Sequence, residues 1–278
     1  MGWRGIAVGV VVMALVLGGS VDADARPRST AAPSVTLESC RERFVIAPGD
    51  AEAVRARVPA SYELSRDASG RPLLYVAAIR CGRYVVGRSA RPTTAAAFAA
   101  MVKSPDGVGC TSDWPLVGEI KGDALSCNLY VLFAAYDNRA VVSWLRAGAP
   151  GLPVHFVNDL EFDEAGLQAL PLGRHLDFRA GHGTPSPFRL DAVVRERPAE
   201  TPFTATFWAE TSVGTVRIRF RSRALALGES QGVLTAEPDG EMARLLGATS
   251  TAGAHPFTLI AGNRWDAGTL TRTVLAHQ

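Results

Sequence analysis

The stretch that most constrains the fold covers residues 203–222, which have the pattern of a β-hairpin. Apolar and polar residues alternate along both halves, and side chains alternate between the two faces of a strand. The alternation predicts an antiparallel pair with Phe207 and Ile218 on one apolar, core-facing side. A four-residue loop at 212–215 preserves that parity. The cross-strand neighbours predicted in this way are Glu210 opposite Arg217 and Trp208 opposite Arg219.

Residues 1–25 have the three parts of a secretory signal peptide. A short basic start precedes an apolar run over 6–17, and an A-x-A cleavage pattern ends at Ala25. The run is short for a membrane span, so we prefer a cleaved signal over an uncleaved anchor. We predict cleavage after Ala25, a flexible leader over 26–36 and a single β-rich domain over 37–278. The protein is then secreted, extracytoplasmic and without a membrane span.

All four cysteines follow the predicted cleavage site: Cys40, Cys81, Cys110 and Cys127. An even number in an exported chain favours two disulfides, for which three connectivities exist. The alternative, a metal site, needs closely spaced pairs such as C-x-x-C, and the sequence has none. We predict that neighbours in the sequence pair, as Cys40–Cys81 and Cys110–Cys127, and we predict no metal.

Composition and charge restrict the class of partner. The 278 residues are 47% hydrophobic and 20% charged, which is ordinary for a globular chain. The formal net charge is only +2, so charge gives no reason to expect a nucleic-acid partner. The sequence has no phosphate-binding loop and no dinucleotide fingerprint, so we expect no cofactor.

The remaining chain adds many short strands and few helices. We predict about ten strands or more with two or three short helices, hence a mainly β, α+β domain forming one antiparallel-rich barrel or cone. Asp50 and Asp137 are predicted to cap two helices, and residues 94–102 fit a helix or a strand. Another helix is predicted over 239–246, and strands over 43–47, 73–80, 83–87, 128–136, 155–162, 173–178, 188–194, 232–236, 256–261 and 269–275.

Residues 228–232 match G-x-S-x-G, the elbow of serine hydrolases, with Ser230 as the nucleophile. The elbow needs a helix after the serine, and the residues that follow make a poor helix. A polar turn between strands is the reading that we favour.

A metal site is the second pattern that we considered. His175 and Asp177 share one strand face, where His155 or His182 could complete a ligand set. Histidine and aspartate two residues apart are common by chance, so we do not predict this site.

The second half of the hairpin carries a row of arginines. Arg217, Arg219 and Arg221 share one strand face, with Trp208 and Glu210 on the neighbouring strand. Guanidinium groups bind carboxylate or phosphate through two parallel hydrogen bonds, so these five residues are the candidate ligand-binding set. The alternative is a solvated strand face. A pocket requires that this face point into the barrel.

Five stretches share their order and pattern with a known superfamily. They are VPASYEL at 58–64, PLLYVAAI at 72–79, WLRAGAPGLP at 144–153, ETSVGTVRIRFRS at 210–222 and PFTLIAGNRW at 256–265. In these stretches, which are spread over most of the chain after the signal, the sequence resembles the acetoacetate decarboxylase-like superfamily, above all its exported actinobacterial members. The resemblance implies a β-rich cone or barrel that holds a small ligand in its interior.

The resemblance also bears on catalysis. The decarboxylases of that superfamily use a lysine Schiff base, with a pKa lowered by an adjacent lysine. The two lysines here, Lys103 and Lys121, lie in no Glu-Lys or Lys-Lys setting. The segment in which the resemblance would place the superfamily's lysine offers only Arg146. Arginine stays protonated and cannot form an imine. We expect no Schiff-base decarboxylase and assign no catalytic residue.

The function predicted from the sequence is an exported β barrel that binds a small organic molecule, for which the arginines suggest an anion. Two other classes remain open. One is an enzyme, either a divergent lyase or a hydrolase that uses Ser230. The other is a cell-envelope interaction module without a small-molecule site.

Overall fold

The computed structural model describes residues 34–103, 125–158, 160, 175–176, 179–180, 184–185, 188–195, 201–236, 238, 240–247 and 254–275. The predicted signal peptide, Cys110, Lys121, Asp177 and His182 lie outside these residues. Most of the described residues are in strands. In chain order they are β1 (Val35–Pro48), β2 (Leu73–Val86), β3 (Ser89–Met101), β4 (Leu125–Tyr136), β5 (Val154–Phe156), β6 (His175–Leu176), β7 (Arg179–Ala180), β8 (Thr184–Pro185), β9 (Phe188–Arg195), β10 (Thr201–Thr211), β11 (Gly214–Ala236) and β12 (Ala254–Leu275). The described helices are α1 (Ala51–Arg57), α2 (Arg139–Arg146) and α3 (Glu241–Leu245).

Seven of the strands close into a barrel. Hydrogen-bonded neighbours follow the order β10-β4-β3-β2-β1-β12-β11, and β11 pairs with β10 to complete the ring. Within the ring, β10 and β4 are parallel and the other pairs are antiparallel. The prediction of a mainly β, antiparallel-rich barrel with few short helices is confirmed. None of the three described helices has the length and apolar character needed to cross a membrane.

One face of the barrel strands is identified as the inner wall by its contact with α2. This helix follows β4, yet the Trp144 ring lies 5.8 Å from the Arg272 guanidinium on β12, three strands away around the ring. Such a contact can only be made across the mouth of the barrel. The faces that pack with α2 are therefore inner faces, and they include Leu37, Tyr84, Val131, Ala205, Ile218 and Leu270.

A second apolar cluster continues the same wall away from α2. Phe203 and Phe207 of β10 pack against both clusters and so join them. The second cluster consists of Phe44, Ile46, Leu73, Tyr75, Ala77, Ala99, Met101 and Leu129. The barrel interior described here is therefore almost entirely apolar.

The outer face of the barrel carries its own apolar layer. Val45, Val76 and Phe98, which alternate with inner residues, pack in one cluster with Val54 of α1 and Leu245 of α3. The backbone of Asp50 donates to the Leu245 carbonyl at 2.8 Å, which fixes the start of α1 against the end of α3. Helices therefore cover part of the outer wall.

The hairpin of β10 and β11 has the predicted parity but a different register. Phe207 and Ile218 share the inner face, as predicted, and in the observed register they are directly paired. The loop has two residues, Ser212 and Val213, because Thr211 pairs with Gly214. Gly214 has φ 136, a conformation that suits glycine and permits this tight turn. The register is thus two residues from the prediction, with Glu210 opposite Thr215, Trp208 opposite Arg217 and Thr206 opposite Arg219.

Several strands are longer than predicted. The strands predicted at 73–80 and 83–87 are one strand, β2, with a register shift between Cys81 and Tyr84. The segment 232–236 belongs to the 23-residue β11, and the predicted closing hairpin at 256–275 is the single strand β12. Glycines and polar residues inside these strands resemble turns in the sequence, but both neighbours in a closed barrel continue the hydrogen-bond ladder past them.

The ambiguous residues 94–102 lie almost entirely within strand β3. Their alanines favour a helix, but pairing with both β2 and β4 outweighs that preference. Small side chains also suit this position, because they leave room for larger inner residues such as Tyr75.

The helix caps are partly as predicted. Asp50 caps α1 and accepts from the Ala53 amide at 2.8 Å. For α2 the predicted cap, Asp137, was wrong: the Asn138 side chain accepts from the Ala140 amide at 3.1 Å. The Asp137 carboxylate instead accepts from the Thr94 amide of β3 at 2.9 Å. The helix predicted over 239–246 is the five-residue α3.

Cys40 and Cys81 form the predicted disulfide, between directly paired positions of β1 and β2. Both cysteines are fully buried. The bond lies beside Ser39, which has φ 51 and marks an irregularity in β1. Because of this irregularity Leu37 and Cys40, three residues apart, both belong to the inner cluster. After Cys40, every second residue of β1 again points inward, beginning with Glu42 and Phe44.

Candidate functional site

The inner wall carries one acidic side chain among its described residues, Glu42 of β1. Its position follows from alternation, because Phe44 and Ile46 on the same strand belong to the inner cluster. Glu42 is 5% exposed. A carboxylate in an apolar interior is costly unless hydrogen-bond donors or a positive charge satisfy it. Glu42 is therefore the feature of the interior that most calls for a chemical explanation.

Tyr75 of β2 is a hydrogen-bond donor to this carboxyl group. Its hydroxyl donates a hydrogen bond to Glu42 Oε1. The Tyr75 ring packs against Phe44 at a centroid distance of 5.4 Å, which fixes the direction of the hydroxyl. The pair thus presents a held phenol and a carboxyl group on the inner wall.

Two further tyrosines lie on the inner wall towards α2. The rings of Tyr84 and Tyr136 meet edge to face at 6.4 Å. Burial raises the pKa of Tyr136 to about 12. Burial also raises the pKa of Tyr84 well above its usual value, and the neighbouring Tyr136, Glu42 and Asp137 add to the effect. Glu42 therefore lies close enough to act electrostatically on Tyr84.

The hydroxyls of Tyr84 and Tyr136 are free to donate. Within the part of the chain that the structure describes, neither hydroxyl has a hydrogen-bond partner. Both phenols remain protonated at neutral pH because their pKa values are raised. We call Glu42, Tyr75, Tyr84 and Tyr136 the interior polar group. It offers one acidic side chain and three phenols in an otherwise apolar wall.

The mouth of the barrel next to this group is closed by α2. Arg272 of β12 donates to the carbonyl of Leu145 at 3.4 Å and to that of Ala147. A cation on the last carbonyls of a helix stabilises its C-terminus. At the other end of α2, the Asn138 amide donates to Thr93 Oγ1 of β3 at 2.8 Å. The helix is thus held to opposite sides of the ring.

The five site residues predicted from the sequence lie on the outer face of the hairpin. Val216, Ile218 and Phe220 are the inner residues of β11, so the arginines between them point outward. Arg217 lies over the Trp208 ring at 5.9 Å. The structure therefore brings Trp208, Glu210 and Arg217 together, while Arg219 and Arg221 extend the row along the strand.

Trp208 and Glu210 take part in a buried network on the outer wall. The Trp208 indole donates to Asn128 Oδ1 at 2.8 Å. Glu210 accepts from the Tyr62 hydroxyl at 2.7 Å and from Thr215 Oγ1 at 3.0 Å. These bonds tie the segment after α1 to the β4–β10 seam. Trp208 is 3% exposed, so its ring is a packing element here.

Ser230 does not lie in a nucleophile elbow. It is within β11, where it pairs with Ile260 on one side and with Val194 on the other. The predicted turn at 228–232 was therefore also wrong, since the segment is strand. A serine hydrolase needs a strand, a sharp turn and a helix at this place, and the backbone has none of that sequence.

The remaining candidates are separated. His155 stacks on Phe133 at 4.8 Å, and burial lowers its pKa. His175 lies in β6, beyond β9 in the sheet. Among the described residues no group of three or more potential metal ligands occurs. Lys103 follows β3 and forms an exposed ion pair with Glu63.

The interior polar group was missed in the sequence analysis. A usable signal exists, because Glu42 interrupts an inner row that continues with Phe44 and Ile46. The irregularity at Ser39 conceals this row, since it shifts the alternation within β1. The tyrosines give no such signal, because tyrosine is common in strands of any burial.

The comparisons with known proteins concern the fold. Acetoacetate decarboxylase from Legionella pneumophila matches with a TM-score of 0.46 and 13% identity, over 95% of this chain and 98% of that one. A second acetoacetate decarboxylase structure matches with 0.47 and 12%, over 88% and 90%. The enduracididine biosynthesis enzyme MppR matches with 0.43 and 14%, over 88% and 90%. No family model and no curated protein matches the chain.

Proposed function

We propose that the protein is an exported barrel that binds a small organic molecule in its interior, against the interior polar group. The observation that carries the proposal is Glu42, a carboxylate that is 5% exposed within an apolar wall. A buried acid costs free energy to desolvate, and an acid on the wall of an apolar interior is a candidate for contact with a ligand. A ligand that bonds to Glu42 would add to the contacts that the protein itself makes with this side chain.

The chemistry of the group favours a ligand with hydrogen-bond donors or a positive charge. An ionised Glu42 can only accept hydrogen bonds, so it suits a donor group or a positive charge on the ligand. The phenols of Tyr75, Tyr84 and Tyr136 suit a polar atom beside the charged one. The anionic ligand suggested by the sequence does not suit this interior, because Arg217, Arg219 and Arg221 lie on the outer face.

The proposal includes no Schiff-base chemistry. Lys103, one of the two lysines, is on the surface and pairs with Glu63. An imine requires an uncharged amine next to a bound carbonyl compound. An exposed, ion-paired ammonium group meets neither condition, and Lys121 lies in no Lys-Lys or Glu-Lys setting of the sequence. Binding rather than decarboxylation is therefore the proposed activity.

Export is part of the proposal. The signal pattern over residues 1–25 supports it. The buried Cys40–Cys81 disulfide supports it too, because such bonds persist in oxidising compartments. The N-terminal residue of protein recovered from the producing cells tests this part. Cleavage after Ala25 is expected, and an intact Met1 on most of the protein contradicts it.

Binding is tested with an isosteric change. The natively purified protein is screened by thermal shift against small amines, amides and carboxylates, and small molecules that it retains are identified by mass spectrometry. Glu42→Gln keeps the size of the side chain and removes the charge, whereas Glu63→Gln does the same on the surface. A ligand that stabilises the wild type and Glu63→Gln but not Glu42→Gln supports the proposal. A ligand bound equally by all three proteins, or no ligand in any screen, overturns it.

A further inference from the structure

The outer face of β11 carries a row of arginines that the proposed interior site leaves unexplained. Arg219, Arg221 and Arg223 occupy alternate positions of the strand and therefore point to the same side. Arg221 and Arg223 are exposed, and Arg219 is half-buried. Within the described part of the chain, none of the three guanidinium groups has an ion pair or a hydrogen bond. We call these three residues the arginine row.

Threonines flank the arginine row on both neighbouring strands. Arg219 lies opposite Thr206 of β10 and opposite Thr271 of β12. Arg221 lies opposite Thr204 of β10 and Thr269 of β12 in the same way. Side chains of directly paired residues stand next to each other on one face. The row is therefore a strip of guanidinium groups bordered by threonines, of which Thr206 is buried and Thr271 is exposed.

Two described acids on the strands around this strip are engaged elsewhere. Glu210 on β10 accepts from the Tyr62 and Thr215 hydroxyls. Glu38 on β1 pairs with Arg83 of β2 at 3.0 Å. Positive charges at alternate positions of one strand repel each other, and an anion from outside the chain would relieve that repulsion.

The geometry suits an extended anion more than a single small one. Alternate residues of a strand are about 6.6 Å apart, so the three guanidinium groups span roughly 13 Å along the strand. The strip lies on the convex outside of the barrel, where no walls enclose a single ion. Several weak contacts along one chain add up to much tighter binding than any one of them.

We propose that the arginine row and its flanking threonines bind a linear polymer that carries phosphate groups along its chain. Phosphate oxygens accept the paired hydrogen bonds of a guanidinium group and also the single bond of a threonine hydroxyl. A nucleic acid is less suited to this face, because binding of single strands relies on exposed aromatic rings. Trp208, the aromatic residue of β10 on this face, is 3% exposed.

The probe is long-chain inorganic polyphosphate, with binding to the full mature protein measured at salt concentrations from about 50 to 200 mM. Arg219→Gln, Arg221→Gln and Arg223→Gln are each expected to weaken binding about tenfold and to lower the salt slope by roughly 0.7. The triple variant should not bind measurably. Arg71→Gln and Arg91→Gln are the matched controls, since they remove equal charge from exposed arginines that bond to Asp67 and to the Asp137 carbonyl.

Each outcome decides the proposal. Loss of binding confined to the row variants supports it, whereas equal loss in the controls shows a nonspecific effect of charge and overturns it. Tighter binding of a single-stranded oligonucleotide, of dextran sulfate or of polyglutamate than of polyphosphate overturns it in favour of that polymer. No binding at the lowest salt overturns it as well. Glu42→Gln should bind polyphosphate as the wild type does, which separates this surface from the interior site.

Discussion

The indole N–H of Trp208 donates to Asn128 Oδ1 at 2.8 Å, across the parallel seam between β10 and β4. Both residues are buried, with exposed fractions of 3%. This seam is the parallel pair in an otherwise antiparallel ring, and it closes the barrel. The bond therefore lies where β4 meets a strand that follows much later in the chain.

Asn128→Ala should destabilise the protein by about 1–3 kcal/mol, because it leaves a buried indole donor without its partner. Urea unfolding at neutral pH gives the free energy. Trp208→Phe removes the donor, so Asn128→Ala should cost clearly less in that background. Equal costs in the two backgrounds would show that the bond itself contributes nothing.

Phe207→Ala should destabilise the protein by about 3 kcal/mol, because the ring joins the two inner clusters and its loss leaves a cavity. Arg219→Ala, at the neighbouring strand's outer face, should change the unfolding free energy by less than about 1 kcal/mol. The reverse order of the two effects would contradict the assignment of inner and outer faces.

Gly49→Ala should destabilise by about 1–3 kcal/mol through overpacking between β1 and α3. A Cβ atom at this position would lie 2.7 Å from Leu74 Cδ1 and 2.9 Å from the Leu245 carbonyl oxygen. Gly82→Ala is the control, because its Cβ atom would have no neighbour closer than 3.4 Å. Thermal unfolding of both variants measures the difference. A stable Gly49→Ala protein would show that α3 can move away from β1.

The structure contains one of the two predicted disulfides, Cys40–Cys81, and does not describe Cys110 of the other. Cys40 and Cys81 are 41 residues apart, so opening their bond should cost about 4 kcal/mol if the constraint on the unfolded chain dominates. A Cys40→Ala, Cys81→Ala double variant should show that loss in urea unfolding. Peptide mapping without reduction should also find Cys110 joined to Cys127. Free thiols at both of those positions would disprove the second pair.

The fold could be predicted from the sequence further than the site could. The alternation in the hairpin shows which side chains share a face of each strand, so it correctly places Phe207 and Ile218 on the same face. It cannot report the register, because a loop of two residues and one of four give the same parity. The alternation also cannot show which face points into the barrel, because both faces carry apolar residues. Outer residues such as Val76 are apolar because they pack under helices.

The site depended on features that local patterns do not contain. Glu42 becomes an interior residue through an irregularity at Ser39, whose positive φ has no signature in the sequence. Tyr84 and Tyr136 come together across β3, from strands far apart in the chain. Only the closed topology brings these residues to one wall.

The raised pKa values of the inner tyrosines make stability depend on alkaline pH. Burial raises the pKa of Tyr136 to about 12, whereas an unfolded tyrosine titrates near 10. The unfolded chain therefore loses its proton first. The stabilisation is fully present below pH 10 and is lost as the pH rises through 12. The pKa of Tyr84 is raised as well, so it adds to the loss in the same direction.

The free energy of unfolding should thus be level from about pH 8 to 9.5 and then fall. Urea unfolding at intervals of half a pH unit measures this profile with the disulfide kept oxidised. Tyr136→Phe keeps the ring and removes the ionisable hydroxyl, so its profile should fall less steeply above pH 10. Tyr84→Phe should act in the same way, and the double variant should fall least. Profiles that coincide for all four proteins would mean that both hydroxyls reach bulk water, which would remove two of the three phenols from the proposed interior site.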